Sequence, residues 1–386
     1  MKMFKRIVLV ALCLILTVGM GVGIAADKKL KAGFVYVGPV GDYGWSHAHD
    51  LGRKYAMEKF PWLETVFIES VAEGDSARVI DRFVQEQKCD VVFTTSFGYM
   101  DDTIAAGAKY PDTKFMHCSG FKQAANVGTY FADLYQAYYL NGLMAGALTK
   151  TNKVGYVGAF PIPEVVRHID AWALGIKAVN PKAEVHVKWI YAWYGPDKAK
   201  EAAEALIAEG CDNLAFTEDT PAVIEVGQEH TEKGKQIYTY SHYSAMEAYG
   251  KDSSVSGQLV DWGVMYEKIL KDLYDGTWTK DDQWWLMKEK AVILGGSFDN
   301  IINPKFVDEL KAVQVDTADL GNLSVYDLIL KRYEQMQQGS DVFDCFRGPI
   351  KDNTGKVQIK EGAQATKAEL LSIMYYVDNV VGEIPK

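Results

Sequence analysis

The residues whose types and spacing could do chemistry fall in short loops, each following an apolar run that reads as a strand. The first, Gly38-Pro-Val-Gly-Asp-Tyr-Gly-Trp-Ser-His47, carries a carboxylate (Asp42) and a large flat ring (Trp45), with Tyr43 between them. Gly38, Pro39 and Gly41 shape the turn, and Gly44 lets the backbone come close. The other loops are Ser96-Phe97-Gly98, Trp193-Tyr194, Glu218-Asp219 and Ser241-His242. A carboxylate and an indole on a tight loop suit a flat, hydrogen-bonding ligand: the ring stacks, and the carboxylate accepts from a ring N–H or amino group. Trp45 from one side and Trp193 from the other would form an aromatic sandwich, each stacked base being worth ~1–3 kcal/mol. Asp42 and Asp219 would supply specificity.

Catalytic patterns are missing from these loops. The chain has no GxSxG elbow, no HExxH, no P-loop and no GxGxxG after its first strand. His47 and His49 are two apart on a helix and point to different sides, so they do not share a metal ion. Asp101-Asp102 opens a helix, where negative charge suits the dipole. The residues predict a binding site without metal or cofactor.

Loops of this kind need a scaffold of alternating strands and helices. Strand Ala32–Val37 is followed by helix Ser46–Lys59, strand Thr65–Ser70, and a helix opened by Asp75 with Val79, Ile80, Phe83 and Val84 on one face. Strand Asp90–Ser96, helix Tyr99–Lys109 and strand Lys114–Ser119 complete the series, which predicts a parallel sheet covered on both faces. The pattern then restarts. Lys31-Ala-Gly-Phe resembles Lys153-Val-Gly-Tyr, Asp75-Ser-Ala-Arg pairs with Asp197-Lys-Ala-Lys, and Lys88-Cys-Asp-Val matches Gly210-Cys-Asp-Asn, each 122 residues apart. A constant offset implies two similar lobes. We expect residues 27–125 with 258–290 in the first, and 126–257 with 291–386 in the second. Asn126–Thr129 and Val255–Leu259 read as crossovers, so the lobes form a hinged cleft that closes on its ligand.

Residues 1–26 read as a secretory signal peptide. Lys2, Lys5 and Arg6 precede the apolar run Ile7–Met20, which is too short for the ~20 residues of a bilayer span, and Gly23-Ile-Ala-Ala26 offers small residues for cleavage. Cys13 lies inside that run, the wrong context for a lipid-modified cysteine. Losing those three cations takes the net charge from −10 to −13. An acidic chain without a basic cluster argues against nucleic-acid partners. Cys89, Cys118, Cys211 and Cys345 form no CxxC pair, so neither a zinc site nor a redox motif is indicated.

Several motifs together resemble one family: Asp42-Tyr-Gly-Trp-Ser before a helix, Asn126-Val leading through a Tyr-rich helix to Gly142-Leu-Met-Ala-Gly, Lys153-Val-Gly-Tyr-Val-Gly, and Trp193-Tyr-Gly-Pro. They are similar to the basic membrane protein (BMP) family of substrate-binding proteins of bacterial ABC transporters. Phe346-Arg-Gly-Pro-Ile-Lys-Asp-Asn and Tyr376-Val-Asp-Asn-Val-Val-Gly resemble the tail of one branch. The resemblance implies an α/β chain of the type I periplasmic-binding-protein fold, with two doubly wound parallel-sheet lobes. It implies a periplasmic receptor, not an enzyme, that binds a purine base or nucleoside and acts as a monomer with an ABC permease at the inner membrane. The family aspartate falls on Asp42, the stacking rings on Trp45 and Trp193, and a polar ligand contact on Asp219.

The chain departs from nucleoside-binding relatives in carrying Trp where they have Phe at both rings. It also has His117-Cys-Ser-Gly and Ser241-His-Tyr where they have acidic residues, which shifts the expected ligand from a nucleoside to a free nucleobase. Alternatives are a sugar receptor of the same fold, since Trp pairs also cover pyranose faces, and a secreted nucleoside hydrolase. The first would want several charged groups around hydroxyls, and Arg53, Arg78 and Arg167 do not sit at strand ends. The second would need an aspartate cluster near the first strand, where Asp42 stands alone.

Overall fold

The computed structural model describes residues 28–41, 43–296 and 300–385. The expected signal peptide and Asp42 lie outside the described residues. Two sheets dominate. The first has the order β11-β5-β4-β3-β1-β2, from β1 (Leu30–Val35), β2 (Leu63–Ile68), β3 (Val91–Thr94), β4 (Lys114–Cys118), β5 (Val127–Ala132) and β11 (Asp282–Trp285), all parallel. The second has the order β12-β10-β9-β8-β6-β7-β17. Its strands are β6 (Lys153–Gly158), β7 (Glu184–Trp189), β8 (Asn213–Thr217), β9 (Tyr238–Tyr243), β10 (Ser254–Val260), the antiparallel edge β12 (Val292–Leu294) and β17 (Val380–Val381). The repeat is visible in the ladders: Ala32 faces Val91 across β1 and β3, and Val154 faces Asn213 across β6 and β8. Both members of the second pair stand 122 residues beyond those of the first.

Helices cover both sheets. The first lobe carries α1 (Trp45–Lys59), α2 (Ser76–Gln85), α3 (Met100–Lys109) and α8 (Trp262–Asp275); the second carries α4 (Tyr135–Leu148), α5 (Pro163–Val179), α6 (Pro196–Ala208) and α7 (Ala222–Glu232). Every residue of α4 is buried, as an all-round apolar helix requires. It presses on α5 backbone to backbone. A Cβ on Gly142 would stand 2.2 Å from the Trp172 carbonyl oxygen, and one on Gly175 would stand 2.1 Å from that of Tyr139.

The lobe boundaries differ from those expected. The run after Asn126 is not a crossover: β5 hydrogen-bonds to β4 within the first sheet, and the chain crosses after Ala132. Likewise β10 pairs with β9 and β12 as far as Val260 before the chain returns to α8. Both strands are outer members of their sheets, next to the crossover, where pattern alone does not say which sheet a strand joins. A third crossover lies between β11 and β12. Asp133, just after the first crossover, is buried and bridged by Arg167 at 2.7 Å, and it accepts from Trp284 Nε1 at 3.0 Å. Burial works to raise its carboxyl, but the Arg167 charge and His168 outweigh this and hold it below the ordinary range.

The tail adds α9 (Pro304–Ala312), the hairpin β13 (Gln314–Thr317) and β14 (Gly321–Ser324), and α10 (Val325–Gln338). After a further short hairpin, β15 (Ile350–Lys351) and β16 (Val357–Ile359), comes α11 (Lys367–Leu370), a single turn with a Thr366 capping box. The tail touches both lobes: β17 extends the second sheet beside β7, and Lys367 pairs with Asp282 of β11 at 2.6 Å. Among the described residues no helix is long and apolar enough to cross a membrane. Cys89, Cys118, Cys211 and Cys345 are free and buried.

Candidate functional site

A cavity lies between the lobes at the carboxyl ends of the strands, where open α/β sheets bind ligands. Val37, Trp45, Ser96, Phe97 and Ser119 line it from the first lobe, and Glu164, Trp193, Asp219 and Tyr243 from the second. The gaps between these side chains total about 260 Å³, but the free core is about 20 Å³, room for roughly one water. The lobes are closed on each other. The Ser244 hydroxyl donates to the Tyr43 carbonyl, and the Tyr43 ring meets Tyr249 edge-on at 5.3 Å. Gly44 abuts the second lobe, so a Cβ there would lie 2.6 Å from the Asp219 backbone.

Local sequence explains how each group arrives. Trp45 begins α1 after the glycine turn, is 6% exposed, and donates through Nε1 to the Thr95 carbonyl. Its ring stands edge-on to Tyr243 at 5.0 Å and to Trp262 at 5.2 Å. Trp193 follows β7 on a loop ended by Pro196, is half-buried, and lies 5.2 Å from the Phe160 ring. Its carbonyl accepts from the Asp219 amide at 2.8 Å, joining the two second-lobe loops. Ser96 Oγ and the Gly98 amide both donate to Glu73, at 2.6 and 3.0 Å, which leaves the Phe97 ring at the cavity wall.

Ser119 and Tyr243 close corresponding strands, β4 and β9, and both hold positive φ, 66° and 61°. Such conformations cost about 1–3 kcal/mol each for ordinary residues and cluster at functional sites. Ser119 Oγ donates across the cleft to Glu164 Oε2 at 2.5 Å. Glu164 sits in the first turn of α5, and burial pushes its carboxyl up to about 7, against the Ser119 hydrogen bond and the Arg167 charge. The site therefore offers an indole from each lobe, further aromatic surface from Phe97 and Tyr243, and the carboxyl groups of Glu164 and Asp219. That set can stack and hydrogen-bond a planar molecule. Among the described residues no group of His, Cys, Asp and Glu is arranged to hold a metal.

Of the residues singled out from sequence, Trp45, Ser96, Phe97, Trp193 and Asp219 line this cavity, whereas Tyr43, Gly98 and His242 do not. Tyr43 seals the lobe contact, and Gly98 serves the Glu73 turn. His242 is fully buried behind Tyr243, their ring centres 3.5 Å apart, with Nδ1 3.0 Å from the Tyr138 hydroxyl. Tyr243 turns out of the strand at φ 61°, which carries its ring and not that of His242 to the cavity wall. Sequence reasoning missed Val37, Ser119, Glu164 and Tyr243. The repeat carried a signal for one of them, because Glu164 stands 122 residues after Asp42, in the register of the other repeat matches.

Known proteins show the family and share the fold. Residues 29–319 match the Bmp family, described as PnrA-like ABC transporter substrate-binding proteins. A purine-binding protein of Brucella abortus is 35% identical over 94% of this chain and 95% of its own length. An ABC transporter protein of Haloferax volcanii, provisionally named as glucose-binding, is 40% identical over 71% of this chain and 68% of its own. Among solved structures, an ABC transporter solute-binding protein of Aeropyrum pernix superposes with a TM-score of 0.67 at 16% identity, covering 84% of this chain and 93% of that one. It shares the type I periplasmic-binding fold. The chain belongs to the Bmp family of ABC transporter substrate-binding proteins.

Proposed function

We propose that this protein is a periplasmic receptor that captures a purine nucleobase, or a closely related planar heterocycle, and delivers it to an ABC permease. The observation that carries the reading is that one cavity is lined by Trp45 from the first lobe and Trp193 from the second, with Asp219 and Glu164 beside them. The indoles cover the two faces of the ring, and the carboxyl groups address its N–H and amino edge. Asp42 stands in the same loop as Trp45 and joins that edge in this reading. The free core is far smaller than a base, so the ligand enters an opened cleft and closure follows. No step of covalent chemistry is assigned; the protein binds and releases. The name of the Brucella abortus relative supports a purine.

A second reading, a sugar receptor, is favoured by the name of the Haloferax volcanii relative and by the ability of paired indoles to cover a pyranose. A thermal-shift panel of purine and pyrimidine bases, nucleosides and sugars separates the two. A ligand at a hundred times its dissociation constant adds ~2.7 kcal/mol. Stabilisation by bases above nucleosides and sugars is the expected result. Stabilisation by sugars alone would leave the fold intact and overturn the ligand.

A further inference from the structure

Behind the central cavity lies a second space of about 380 Å³, within the range of small-molecule sites. Phe97, Ser119 and Glu164 border both spaces, so the wall between them is one ring and the Ser119–Glu164 hydrogen bond. The far walls are largely apolar: Phe121 and Phe131 from the first lobe, Trp284 from β11, and Leu371 with Ala368 from the tail. Of its charged groups, Arg167 is engaged with Asp133 at 2.7 Å and Asp282 with Lys367 at 2.6 Å, while Glu164 accepts from Ser119. Phe121 is 65% exposed and Ala368 lies at the surface, so the chamber opens to solvent on that side. The tail residues that wall it lie beyond the stretch that matches the family, residues 29–319.

We propose that this chamber is a second subsite, which takes an uncharged apolar arm attached to the heterocycle. Resting on the purine reading above, it makes the ligand class a base substituted on the edge that faces Ser119 and Glu164. The ring stacks in the central cavity, the Ser119–Glu164 contact parts, and the arm passes between them to lie against Phe131, Trp284 and Leu371. A charged arm is disfavoured because the far walls are largely apolar and Arg167 and Asp282 are already paired.

Calorimetry of the full mature chain with adenine and with N6-benzyladenine tests this. Burying the benzyl arm should tighten binding by about tenfold to hundredfold over adenine. Ala368→Trp, at an exposed position, should fill the chamber and abolish that gain while leaving adenine affinity unchanged; Leu371→Trp provides a second, independent block. Benzyladenine binding no tighter than adenine, or a gain that survives both variants, overturns the subsite and leaves the base reading standing. Binding of neither compound would sink the base reading and the subsite with it.

Discussion

In the first lobe the indole that faces the cleft, Trp45, opens a helix and is wedged against Trp262, His49 and Tyr243. In the second, Trp193 rides on a loop against Phe160, half-exposed. The lobes share one ladder, register for register, yet one ring is built into the core and the other is left adjustable. In the proposed stacking site, one platform is fixed and the other can yield as the cleft closes. The strained strand ends, Ser119 and Tyr243, follow the scaffold, one in each lobe, while the side chains they present differ.

The two rings should differ most on removal of Trp45. Replacing it with Ala should cost about 3–5 kcal/mol of stability, as for other buried aromatics, as well as ligand affinity. A variant that melts like wild type would show that Trp45 is not the core-anchored ring. Gly44→Ala acts on closure alone, because its Cβ would meet the Asp219 backbone of the other lobe. Overpacking of about 1–3 kcal/mol should weaken ligand binding by one to two decades with little change in unliganded melting, read by calorimetry and thermal scans.

Glu164 gives the third test. Its carboxyl titrates ordinarily near 4.5 and is pushed up to about 7, so between these values the folded chain binds more protons than the unfolded one. Stability should therefore fall as pH rises through this window, by up to about 3 kcal/mol. Glu164→Gln should remove that contribution, flattening the melting temperature between pH 5 and 7 relative to wild type. Parallel pH profiles would detach Glu164 from the cleft's electrostatics.

Much of the architecture was legible in sequence because it rests on local periodicity. The βα alternation and the 122-residue offset both appear in the ladders, where Ala32–Val91 recurs as Val154–Asn213. The membership of β5 and β10 was not legible, since a strand's sheet is chosen by tertiary pairing and not by its own pattern. The short β11 was missed for a related reason: Asp282-Gln-Trp-Trp285 lacks the β-branched run that marks a central strand. At the site, residues in glycine-punctuated loops were readable, as with Trp45, Phe97 and Trp193. Tyr243 and Ser119 reach the cavity because the backbone adopts positive φ at their strand ends, which residue type does not announce. The choice of His242 over Tyr243 is the error such a turn produces.

In the proposed complex a planar base is stacked between the two indoles, and Trp193, half-buried on its loop, is the ring whose removal disturbs the core less. Calorimetric titration of wild type and Trp193→Ala with adenine tests it directly. Loss of the stacking energy, ~1–3 kcal/mol, predicts a dissociation constant raised by one to two decades, with a smaller fall in the melting temperature of the free protein than Trp45→Ala causes. An unchanged dissociation constant would remove Trp193 from the site and contradict the account.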